Sequence, residues 1–269
     1  MKAIRRFLRY DNLGWLYVLP ALVYMLALTG WPIVSNIMLS LQDVTVRTLR
    51  LTEKPFVGLA NYRTLFEGGV LISAIFNTLL FTVLCLVFQF VIGFLLALFF
   101  NRSFATAKFV RGLLMMPWMI PITVTALIFK FIFGTDVGIL NQALVGLGLI
   151  AKPVEWLTQP GTAMAALIVA NVWIGIPFNM ILLSVGLSTV PRELYESASI
   201  DGANAWQSFR HITLPMIRSS IESVLILGFI YTFKVFDLVF VMTGGGPVNA
   251  TQMLSLIHIS EPTRLGMIS

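Results

Sequence analysis

Residues 195–215, YESASIDGANAWQSFRHITLP, bring Glu196, Asp201, Arg210 and His211 together among small side chains at Ser197, Ala198 and Gly202. Nucleophilic catalysis needs a nucleophile beside a base, and a metal needs several closely placed ligands. The chain offers neither. Its two histidines, His211 and His258, are far apart in sequence with no cysteine nearby. The single cysteine, Cys85, lies in an apolar run, where it can form no intrachain disulfide and behaves as a small hydrophobe. There is no glycine-rich phosphate loop, no HExxH and no CxxC pair. The expected inventory is therefore no catalytic residue, no metal and no cofactor held by this chain, with His211 a solvated loop residue. The chemistry left to this polar stretch is recognition.

Its local pattern predicts two short helices. Pro191 suits a first helical turn and Glu193 favours the positive end of a helix running through RELYESAS. Gly202 can take a left-handed turn, and Asp201 is placed to cap a second helix at about 204–213. That helix carries Trp206, Phe209 and Ile212 at i, i+3 and i+6, and Pro215 ends it. Glu196 beside Ser197 and Ala198 sets one charge next to two small side chains, so a second surface can approach closely. Two readings stand: a rigid docking knob with a hinge, or a plain cytoplasmic loop that is helical.

The elements that position this stretch follow from composition. The 269 residues are 58% hydrophobic and 11% charged, with mean hydropathy +0.89. Soluble domains average about 25% charged residues, so this is an all-α polytopic membrane helix bundle in the lipid bilayer. Five apolar segments of spanning length occur, at about 14–41, 71–100, 109–133, 162–187 and 218–242. The basic start followed by an apolar run resembles a signal peptide, but the run is long and has no small-residue cleavage site; it reads as a retained first span. Prolines at 20, 32, 117, 121 and 177 fall inside spans, which favours a packed bundle whose neighbours satisfy freed backbone groups.

The net charge of +6 reads as loop Lys and Arg holding orientation rather than as nucleic-acid binding. With the N-terminus inside, the cytoplasmic segments hold Lys2, Arg5, Arg6, Arg9, Arg102, Lys108, Arg111, Arg192, Arg210 and Arg218. The external loops hold Arg47, Arg50, Lys54, Arg63 and Lys152. Ten against five places the N-terminus and the polar stretch in the cytoplasm.

Two helical faces gather polar and aromatic groups within the membrane. Gly228, Tyr231, Thr232 and Val235 share one face of the fifth span, and Asn171, Ile174, Gly175 and Phe178 one face of the fourth. Sugars suit such surfaces, with rings covering the apolar face and amides and hydroxyls bonding the rest. Helix packing through small residues is the other reading. Lys234 and Asp237, at i and i+3, read first as an internal ion pair and second as a contact for a charged solute group. Glu222 has no assigned role.

The polar stretch resembles the EAA loop of ABC importer permeases, Glu-Ala-Ala-x3-Gly-x9-Ile-x-Leu-Pro. Glu196, Ser197, Ala198, Gly202, Ile212, Leu214 and Pro215 fit every spacing, and only Ser197 departs, small for small. FVGLANYRTLF (56–66), NVWIGIPFNMILLSVGLSTVPRELYE (171–196) and FKVFDLVFVMTGGGPVNAT (233–251) are similar to the carbohydrate-uptake group, of the maltose and glycerol-3-phosphate type, first of two permease subunits. The resemblance implies that Glu196, Ser197, Ala198, Asp201, Gly202, Ile212, Leu214 and Pro215, within a loop at about 188–217, couple to a cytoplasmic ATPase dimer that binds ATP and Mg. It also implies a second permease subunit, an extracytoplasmic solute-binding protein, no catalysis by this chain, and location in a bacterial or archaeal cell membrane. Solute contacts are implied at Ile174, Gly175, Phe178, Gly228, Tyr231 and Thr232. A secondary transporter or channel working without an ATPase is the alternative; it predicts paired repeats or mid-membrane ionisable relays, and little of either is found.

The family implies six spans. After GGGPVNATQML the chain ends SLIHISEPTRLGMIS, where Glu261, Pro262 and Arg264 interrupt the apolar residues. SLIHISEPTR resembles a peptide translated from sequencing-adapter DNA. The expectation is a permease domain over 1–254, five spans, and a non-native tail over 255–269 without packed structure.

Overall fold

A computed structural model describes residues 13–44, 54–101 and 105–260. Lys2, Arg5, Arg6, Arg9, Arg47, Arg50 and Arg102, counted above for orientation, and the stretch 261–269 lie outside them. Among the described residues the structure is helical, with one isolated bridge between Gln42 and Phe56. The chain divides into two compact units, one holding residues up to Gly68 together with those from His258, the other Gly69–Ile257.

In the first unit, α1 (Leu13–Met25) runs through a π-helical turn, Leu26–Gly30, into α2 (Trp31–Ser40). The π turn ends two residues before Pro32. A widened turn there relieves the clash between a proline ring and the carbonyl four residues back. α3 (Ala60–Glu67) follows, and its buried Asn61 donates to the carbonyls of Ser40 and Gln42 at 2.8 and 3.0 Å. It thereby satisfies acceptors at the end of α2 that no helical N–H can reach.

The second unit is built on α4 (Val70–Phe100) and α9 (Pro160–Ser188), which pack along one another. Both match the expected spans. Phe81, Cys85, Leu167, Ala170, Leu238 and Val239 form the main buried cluster. At the crossing, a Cβ on Gly93 would lie 2.5 Å from Asn179 Cβ and 3.1 Å from the Met180 nitrogen, so only glycine admits this approach.

The third and fifth spans, each read from the sequence as one apolar segment, are broken. The third consists of α5 (Ala107–Leu114), α6 (Met116–Met119) and α7 (Ile122–Ile132), with a 96° bend before α7. Ile120 and Pro121 are extended, with ψ of 132° and 137°. Pro121 bars its predecessor from the helical region, which turns an apolar run into two pieces. The fifth consists of α13 (Arg218–Phe233) and α14 (Asp237–Met242), with Lys234–Phe236 outside the helix. Among the described residues three helices are long and apolar enough to cross a membrane, or up to five if two bent pairs each count as one span, α5–α6 with α7 and, at 64°, Ala205–Met216 with α13.

Between α7 and α9, α8 (Ile139–Gly146) sits in a hairpin organised by Asn141. Asn141 is 1% exposed; its Nδ2 donates to the carbonyls of Thr135 and Val154, and its Oδ1 accepts from Val154 N and Trp156 Nε1. One side chain thus satisfies the backbone of a loop that has no strand to pair with.

The segment after α14 corrects a further expectation. Residues 254–260 form α15 (Leu254–Ser260), and Met253 and Leu256 are buried, so the start of the supposed unpacked tail is packed. Leu254 N donates to Thr78 Oγ1 at 3.0 Å, and Ser255 Oγ to the Val235 carbonyl at 2.6 Å, an acceptor that the break in the fifth span leaves free. Burial of an apolar run against the break outweighs the interruptions that begin only at Glu261.

Candidate translocation cavity and coupling loop

A cavity of ≈ 420 Å³ opens within the second unit. All six residues expected to meet a solute border it: Ile174, Gly175 and Phe178 from α9, and Gly228, Tyr231 and Thr232 from α13. Asn171 and Val235, on the same two faces, border it as well. Both helix breaks reach it too, through Ile120 and Ile122 on one side and Lys234, Phe236 and Asp237 on the other. Non-helical backbone at membrane depth is tolerated where it lines such a space.

One wall is aromatic. Phe178 meets Tyr231 edge-on, with centroids 5.8 Å apart, and Trp118 lies 6.3 Å from Phe178. Trp118, supplied by α6, was not foreseen. Its signal is the proline pair at 117 and 121, which breaks the span so that α6 turns to the cavity. Gln89 of α4 was also missed. It is 4% exposed and borders the cavity, and its Nε2 donates to the Asn171 carbonyl at 3.0 Å. The available signal was a carboxamide inside an otherwise apolar span.

Lys234 and Asp237 do not form the expected ion pair. Among the described residues the ion pairs are Arg63–Glu67 and Arg218–Glu222, at 2.7 and 2.8 Å, the second giving Glu222 a surface partner. Lys234 Nζ instead lies over the Tyr231 ring, 5.1 Å from its centroid. Residues 234–236 leave the helix, so the i, i+3 spacing no longer stacks the two side chains.

The polar stretch forms α10 (Arg192–Ile200), α11 (Ala205–Ser208), a π turn Phe209–Thr213 and α12 (Leu214–Met216). Gly202 has φ +81°, and nothing lies within 4 Å of the place a Cβ would take, so its role is conformational rather than steric. Three details differ from expectation. Asn204, not Asp201, caps the second helix: its side chain accepts from Gln207 N, while Gln207 Oε1 accepts from Asn204 N, at 2.9 and 2.8 Å. Asp201 instead follows the end of α10 and forms the turn there with Gly202. The helix also continues past Pro215, and the π turn directly before that proline makes room for its ring. Pro191 precedes α10 rather than joining it.

The two helices are tied together. Tyr195 and Thr213 hydroxyls are 2.8 Å apart, and Trp206 stacks on Phe209 at 5.7 Å, which meets Phe94 of α4 at 5.9 Å. Ile212 and Leu214 are half-buried, with Ile212 against the cluster of Leu183, Leu187 and Ile217. Glu196, Ser197, Ile200 and Trp206 are exposed and Ala198 is half-buried. His211 is exposed, with its Nδ1 3.0 Å from the Gln207 carbonyl.

Residues 89–267 match the family described as binding-protein-dependent transport system inner membrane component. The trehalose/maltose transport system permease protein MalF of Thermococcus litoralis is 35% identical over 250 residues, 93% of this chain and 83% of that protein. A bacterial ABC transporter for import of the acidic polysaccharide alginate is similar in structure, with TM-score 0.76 at 27% identity over 97% of this chain and 86% of that one. The same TM-score and identity, over 97% and 85%, hold for that transporter in complex with an alginate pentasaccharide-bound periplasmic protein. The helical architecture, its apolar spans and these matches over nearly the whole chain lead to one assignment: the chain belongs to the binding-protein-dependent transport system inner membrane component family, and is the membrane-spanning permease of an ABC importer.

Proposed function

We propose that this permease carries a sugar through the cavity between α4, α9 and α13, and that its 188–217 loop docks on a cytoplasmic ATPase dimer. The observation that carries the reading is the pairing of an aromatic wall, Trp118, Phe178 and Tyr231, with the buried carboxamides of Gln89 and Asn171 in one space. Rings cover the apolar faces of a pyranose, and amides bond its hydroxyls. The trehalose/maltose and alginate relatives support a saccharide. In this reading a second permease subunit closes the pathway, an extracytoplasmic solute-binding protein delivers the sugar, and ATP and Mg sit on the ATPase. The N-terminus and the loop face the cytoplasm. Rigid docking is favoured by the Tyr195–Thr213 tie and the Asn204 capping box, which leave Gly202 as the hinge.

The test is ATP-driven uptake of trehalose, maltose and lactose by the complex reconstituted in proteoliposomes. Gly202→Val and Glu196→Lys are expected to abolish uptake while leaving membrane insertion intact. Tyr231→Ala is expected to raise KM about three- to tenfold through loss of a ring contact of about 0.5–1.5 kcal/mol. Undiminished uptake with both loop substitutions would sink the coupling assignment, and an unchanged KM in Tyr231→Ala the solute assignment.

A further inference from the structure

We propose that Gln89 is a specificity-determining residue of this cavity, its Oε1 accepting a hydrogen bond from a solute hydroxyl beside the Asn171 carboxamide. The assignment rests on the sugar reading of the cavity given above. Gln89 is buried in the middle of an apolar helix, where an unspent polar group is costly. Its Nε2 is fixed on the Asn171 carbonyl at 3.0 Å, while its Oε1 has no hydrogen-bond partner among the described residues. Asn171 is 8% exposed, and its Nδ2 is enclosed by protein, so the carboxamide packs beside the acceptor rather than opening to the cavity. An acceptor therefore borders the cavity unsatisfied, and a solute hydroxyl, as a donor, completes it.

The backbone is arranged to admit this side chain. A Cβ on Gly175 would overlap the Gln89 carboxamide, so the amide lies in the space that glycine leaves on α9. With Nε2 tethered, Oε1 has one direction to offer. A packing role does not need the free acceptor, and an apolar residue of the same length would serve it better in this helix.

The experiment compares wild type with Gln89→Met, close in length and apolar, in the reconstituted complex. The best transported of trehalose, maltose and lactose is used, with its monodeoxy analogues. In wild type, one deoxy position is expected to lower kcat/KM about tenfold, as loss of a hydroxyl that satisfies buried polar groups does. Gln89→Met is expected to lose about tenfold on the parent sugar and to transport that one analogue no worse than the parent. The solute-binding protein is common to both sides, so its own preferences cancel. Gln89→Leu is expected to lose discrimination at that position as well, and it serves if Gln89→Met fails to assemble with the ATPase. Equal discrimination in wild type and in the apolar variants overturns the role of Gln89 and leaves the sugar reading standing. Uptake of none of the three sugars by wild type overturns the sugar reading itself.

Discussion

Capping shows how narrow the margin between neighbouring residues is. Asp201 and Asn204 are both good N-cap types three positions apart, and only the second has its backbone extended, at ψ 170°, just ahead of the helix. Asn204 also finds Gln207 three residues on, completing a reciprocal box that Asp201, facing Asn204 at that spacing, has no glutamate or glutamine to form. Asn204→Ala should therefore weaken the α11 end of the loop by about 1 kcal/mol, seen as faster amide exchange over residues 205–208. Asp201→Ala should leave that exchange unchanged. Equal effects of the two would return the cap to Asp201.

Among the elements, close helix contact is set by side chains that are missing. Gly93 touches backbone as well as side chain of α9, so no rotamer change makes room for a larger residue. Gly93→Val should lower the detergent-solubilised protein's stability by about 1–3 kcal/mol, the usual range for overpacking, read as a drop in thermal unfolding midpoint. Gly112→Val, where nothing lies within 4 Å of the added carbon, is the control and should lose far less. The straight elements were the legible ones: α4 and α9 begin and end within two residues of the apolar runs that announced them. The breaks at 120–121 and 234–236 were not. Hydropathy sums over residues and is blind to direction, and although Pro121 marked one break, no proline marks the other.

For the molecule as a whole, the two expected faces on α9 and α13 were readable because each repeats at helical spacing along one segment. The contribution of α4 was not, although Gln89 lies in a stripe with Thr82, Cys85 and Gly93, since its effect depends on Asn171 and Gly175, more than eighty positions away. The proposed orientation rests on the charge distribution and is open to direct measurement. In a Cys85→Ala background, Ile200→Cys, at a site 85% exposed, should react with a membrane-impermeant maleimide only from the cytoplasmic side. Leu149→Cys, at 67%, should react only from outside. The reverse pattern would invert the proposed topology.

The 96° bend before α7 has a consequence for how the chain is made. α7 has 11 residues, about 16 Å of helix, against about 30 Å of hydrocarbon. Neither half of the bent pair satisfies a membrane-insertion machine that judges segments one at a time. This stretch is expected to wait near the exit of the translocation pore until its partners are made, α9 for α6 and, about a hundred residues later, α14 for most of α7. Biogenesis here is ordered by partner rather than by position in the chain, and a nascent chain halted before α9 should hold this segment only loosely, extractable by alkali while α4 is already anchored.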